Sequence, residues 1–75
     1  MNPVAVQMAN ATAGDRPGRK LEAIARERLA AGDTREDVLR ICEQARSYCG
    51  TEEAEDRILD LMDRLTGWCR PDARI

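Results

Sequence analysis

The stretch that most constrains the fold is Thr51 to Leu65, TEEAEDRILDLMDRL, because it meets every local requirement of one amphipathic helix. Ala54, Ile58, Leu61, Met62 and Leu65 recur at three and four residues and line one side of a 3.6-residue period, with Leu59 widening the stripe. The opposite side carries Glu53, Asp56, Arg57, Asp60, Asp63 and Arg64, in which Glu53 precedes Arg57 and Asp60 precedes Arg64 by one turn, the favourable order for an ion pair. Thr51 can cap the start, and Glu52, Glu53, Glu55 and Asp56 place negative charge at the positive end of the helix dipole.

Two more helices are predicted upstream. Pro17 suits a first helical position, with Asp15 close enough to cap, and Leu21, Ile24, Ala25 and Leu29 form the stripe of a helix near 17–31 that Gly32 ends. In Gly32-Asp33-Thr34 a stop is followed at once by a start: glycine supplies the left-handed residue and Thr34 caps the next helix, with Asp37 completing a capping box. That helix is predicted over 35–49, with Val38, Ile41, Cys42, Ala45, Tyr48 and Cys49 on one face and Leu39 beside it, and Gly50 stops it. Because Thr51 follows directly, the second and third predicted helices are expected to be an antiparallel pair. Gly67 is a candidate left-handed cap for the last helix, which would fold Trp68 back on Met62, and Pro71 limits any continuation.

The first 18 residues offer only Val4, Val6 and Met8 as apolar anchors, too little to offset the entropy of ordering them. The expected organisation is therefore a flexible arm over 1–16, a three-helix domain over 17–70 and a tail over 71–75. The fold class is all-α, a small three-helix bundle. A chain of 75 residues builds a core worth only about 3 to 5 kcal/mol, so dimerisation is an expected means of completing it.

Charged residues make up 35% of the chain at a net charge of -2, a mixed-sign surface unlike that of a nucleic-acid binder. The dominance of arginine over lysine (one Lys) and the abundant alanine fit a GC-rich bacterial genome. Three cysteines, an odd number, and an N-terminus without a signal-peptide pattern favour a cytoplasmic setting. No run approaches the roughly 20 apolar residues that span a bilayer.

Cys42 and Cys49 lie two turns apart on one predicted helix, about 10 Å along its axis, out of disulfide reach, and Cys69 falls far from Cys49 in an antiparallel pair; packing thiols is the expected role. A thiolate metal site would need closer spacing or histidine, and the chain has none. Asp56, Asp60 and Asp63 share a face that could meet a hard cation, but Arg57 and Arg64 stand among them, so an ion-paired solvated face is the stronger account. Without His, a phosphate loop or a G-x-S-x-G elbow, no catalytic set or cofactor site is expected.

The function expected is that of a small helical protein–protein interaction module, an adaptor, a regulator or an antitoxin- or immunity-like partner, acting as a homodimer or on another protein. Leu39 lies about 100° from Val38 and about 60° beyond the main stripe, and Leu59 stands in the same relation to the last helix. Both would be left on a wet margin with Tyr48 or Trp68, so Leu39, Leu59 and Trp68 are the candidate interface. The alternative is a nucleic-acid-binding helix-turn-helix regulator built on the first two predicted helices. The leading turn of its reading helix, Thr34-Arg35-Glu36-Asp37, carries two acids against one base, which counts against phosphate contact.

Overall fold

The computed structural model describes residues 2–67, and among them the chain is all helical with no strand: α1 Pro3–Thr12, α2 Pro17–Ala30, α3 Arg35–Arg46 and α4 Glu52–Thr66. The all-α fold expected from the periodicity is what forms, with one helix more than the sequence predicted. Trp68, Cys69 and the 71–75 tail lie outside the described residues, as does the expected fold-back of Trp68 on Met62.

The extra helix corrects the flexible arm. Asn2 accepts hydrogen bonds from the Val4 and Ala5 amides at 2.9 and 3.4 Å, and Pro3 takes a first helical position, which needs no amide donor. Val4, Ala5, Met8, Ala11 and Thr12 then fall on one side, with Ala5 and Met8 fully buried and Thr12 nearly so. A helix of 10 residues is marginal alone. It orders because α2 and α3 already present Leu21, Ile24, Val38 and Cys42, an apolar surface that residues 1–16 do not themselves contain.

The remaining boundaries follow local chemistry. At the end of α2 the Asp33 amide donates to the Arg28 carbonyl at 3.1 Å and the Gly32 amide to Leu29 at 3.1 Å, with Gly32 at φ 106, the paired closure of a Schellman motif. Arg28 Nε adds a 2.8 Å bond to the Asp33 carboxylate. The capping box at α3 is complete: the Asp37 amide donates to Thr34 Oγ1 and the Thr34 amide to Asp37 Oδ2, each at 3.1 Å. These bonds hold the Asp37 carboxyl below its usual range. Thr51 Oγ1 caps α4 by accepting from the Ala54 amide at 3.1 Å, and Gly67 closes α4 at φ 87.

Two boundaries differ from expectation. Asp15 does not cap α2: Arg16 takes the cap position in the left-handed region, φ 50 and ψ 57, with no side-chain cap bond. The second predicted helix ends at Arg46 and not at Cys49. Ser47 Oγ donates to the Gln44 carbonyl at 2.6 Å, and the Tyr48 and Cys49 amides donate three residues back, so the last turn tightens and the α-helical ladder stops.

Central to the packing is α3, which lies against both α1 and α4, while α2 closes on α1 and α4. The buried cluster draws Ala5 and Met8 from α1, Leu21, Ile24 and Ala25 from α2, Val38, Cys42 and Ala45 from α3, and Ile58, Leu61 and Leu65 from α4. All three apolar stripes expected from the sequence face this cluster except at Tyr48, which lies beyond the end of α3 and is exposed.

Candidate interaction surface

The α3–α4 pair is antiparallel, as the one-residue start signal at Thr51 required. Near one end an Arg35 guanidinium nitrogen donates to the Leu65 carbonyl at 3.2 Å, and near the other Arg46 grips Glu55 Oε1 through Nε at 3.1 Å and an η nitrogen at 2.7 Å. Arg35, Leu39 and Arg46 lie at helical spacing on α3, and Glu55, Leu59 and Met62 do so on α4. The two arginine contacts therefore bring Leu39 and Leu59 to the same side of the pair. Each is half-buried; Leu39 and Met62 pack on the central cluster. Trp68, the third residue expected there, lies outside the described residues.

A second ion pair ties α4 to α2: Arg64 reaches Glu22, which Arg26 also meets at 3.3 Å. The Arg64 hydrogen bond is the main cause of the Glu22 carboxyl lying below its ordinary range. Among the described residues no ion pair joins Glu53 to Arg57, the pairing expected from their spacing.

A cleft of about 610 Å³ opens between the end of α1 and the α3–α4 link, with Pro17, Tyr48, Cys49, Thr51, Glu53 and Arg57 in its walls. Sequence reasoning missed it, because it depends on α1 and on the early end of α3. That early end turns Tyr48 outward to 41% exposure, making it the one large apolar side chain so exposed among the described residues. In the cleft the Cys49 thiol is raised above its usual range, first by burial and then by the Glu55 charge. It stays protonated at neutral pH and is a poor nucleophile there.

Cys42 is fully buried, its Sγ 3.9 Å from Met8 Sδ. Burial, with the Glu43 charge adding to it, pushes the thiol up to about 12. It packs as a small apolar group, the role expected for it. No group of three or more Cys, Asp or Glu side chains among the described residues is arranged to hold a metal ion, and no helix there is long and apolar enough to cross a membrane.

Fold and surface together define a small all-α protein in which, among the described residues, no buried side-chain nitrogen or oxygen lacks a hydrogen-bond partner. Comparison with family models, with curated proteins and with solved structures gave no significant match.

Proposed function

We propose that the chain is a helical protein–protein interaction module that works through the α3–α4 side bearing Leu39 and Leu59, most simply by pairing with a second copy. The observation that supports this reading is the convergence of the two half-buried leucines, with Met62 beside Leu59, on one side of a rigidly tied helix pair. A two-fold dimer would cover that margin with a single self-complementary patch. Mixed charge around it, Glu36, Arg40, Asp60 and Asp63, would limit further stacking. A cytoplasmic, bacterial setting belongs to the same reading.

The case for pairing rests on this margin and not on an unfinished core, since α1 supplies Ala5 and Met8 from within the chain. The test is solution mass across a concentration series. A dimer at high micromolar concentration that Leu59→Glu converts to monomer supports the reading, and a monomer throughout that Leu59→Glu leaves unchanged rejects it.

The nucleic-acid alternative draws on one observation, the four-residue link Ala31 to Thr34 between α2 and α3, which fits a helix-turn-helix. Against it, Glu36 and Asp37 stand in the leading turn of α3 and Arg35 of that turn donates to the Leu65 carbonyl. A salt-sensitive shift with bulk DNA would favour this alternative over the first reading.

A further inference from the structure

We propose that α1 is an exchangeable element, donated by one copy of the chain to the α2–α3 groove of another, with Ala13 to Arg16 as the hinge. This pairing uses a different element from the α3–α4 side and goes beyond the function proposed above.

The hinge carries the argument. Four residues join α1 to α2, and the last of them, Arg16, sits at φ 50 and ψ 57. That region costs any residue with a Cβ, and it is the single non-glycine position with positive φ among the described residues. Pro17 adds to the conflict, because the residue before a proline prefers extended geometry. A closed chain therefore holds Arg16 where both its own side chain and its neighbour disfavour it. Opening the hinge lets Arg16 relax to an extended conformation and carries α1 away from α2 over about 13 Å of extended chain.

The rest of α1 suits exchange. Its residues Pro3–Thr12 include no charged side chain, so no ion pair from within α1 anchors it. Its attachment is apolar: Ala5 and Met8 enter a groove that includes Leu21, Ile24, Ala25, Val38 and Cys42. The occupant of that groove in an opened chain is specified by the closed one, since a second copy's α1 makes the same contacts with Met8 again against Cys42. Two chains that trade α1 keep every core contact and lose two strained hinges.

Short linkers hold a tethered segment at an effective concentration of about 1 mM, so the closed monomer dominates in dilute solution and exchange needs a comparable protein concentration. The experiment places a second thiol on the face of α1 that meets Cys42. In a Cys49→Ser, Cys69→Ser background, Met8→Cys is refolded with oxidised glutathione at about 1 µM and at about 1 mM, then run on a non-reducing gel.

Exchange predicts an intrachain disulfide at the low concentration and an 8-to-42 interchain disulfide at the high one, located by peptide mapping. Arg16→Gly, which removes the Cβ part of the hinge conflict without touching the core, should lower the exchanged fraction, weakening dimerisation by about tenfold per hinge. A dimer that forms through the α3–α4 side alone would carry intrachain disulfides, so failure of either idea is visible separately. Intrachain closure at both concentrations overturns the proposal. Should Met8→Cys not fold, or form no 8-to-42 disulfide at either concentration because its shorter side chain falls short of Cys42, sedimentation of the parent refolded at about 1 mM decides: a dimer reduced by Arg16→Gly supports exchange, and one indifferent to it, or no dimer, overturns it.

Discussion

Met8 and Cys42, 34 residues apart in sequence, meet sulfur to sulfur at 3.9 Å in the fully buried core. The contact joins the N-terminal helix to the central helix α3, and it turns a segment with few apolar residues into a structural part of the domain. Met8 is also among the largest of the fully buried side chains.

Met8→Ala is therefore expected to cost about 2 to 5 kcal/mol, as a large-to-small change in a close-packed core does. The same range is expected for Leu61→Ala in the stripe of α4, whose residue is 2% exposed. Urea unfolding monitored by circular dichroism checks both. If Met8→Ala unfolds at the parent midpoint while Leu61→Ala does not, α1 contributes nothing to stability and its docking is wrong.

Cys42 makes stability sensitive to alkali. The folded chain keeps its thiol protonated up to about 12, whereas the unfolded chain releases the proton near the ordinary value of 9.0. Between those values the unfolded state binds fewer protons than the folded one, so stability falls as pH rises, by up to about 1.4 kcal/mol per pH unit. Cys42→Ala should be less stable at pH 7 yet show a flatter decline between pH 9 and 11. Parallel slopes for the two proteins would mean that the thiol is not shielded.

Glu22 and Arg64 act at the acid end. The folded carboxyl is lowered, chiefly by the Arg64 hydrogen bond, so the stabilisation is fully present above the unfolded carboxylate value and is lost as pH falls through the folded one. With side chains 28% and 20% exposed, the pair is expected to contribute about 0.5 to 1 kcal/mol at pH 7. A double-mutant cycle of Glu22→Gln and Arg64→Gln should return that coupling at pH 7 and almost none once the pH has fallen through the lowered range of the folded carboxyl. Equal coupling at both pH values would point to packing of the side-chain stems and not to charge.

The caps at Thr34 and Thr51 and the closures at Gly32 and Gly67 were legible in the sequence because each is settled by residues within a few positions of one another. Thr34 and Asp37 bond each other's amides, Thr51 reaches Ala54, and Gly32 and Gly67 supply the left-handed residue that ends a helix. The three long stripes were legible for the same reason, since a period of 3.6 residues needs no partner to be seen. With them came the all-α fold and the antiparallel α3–α4 pair, and from that pair the convergence of Leu39 and Leu59 follows.

What only the tertiary structure decided depends on surfaces assembled from distant parts of the chain. Residues 3–12 hold too few apolar side chains to order alone, and they become α1 because Leu21, Ile24, Val38 and Cys42 are already in place. Docking α1 forces the four-residue hinge to turn sharply, and Arg16 takes a conformation that its own propensity and the following proline both oppose. Arg64 reaches Glu22 across 42 residues, and the cleft beside Tyr48 exists only once α1 closes over the α3–α4 link. Local pattern determines where a helix starts and stops; burial against a distant surface determines whether a weakly apolar segment becomes one.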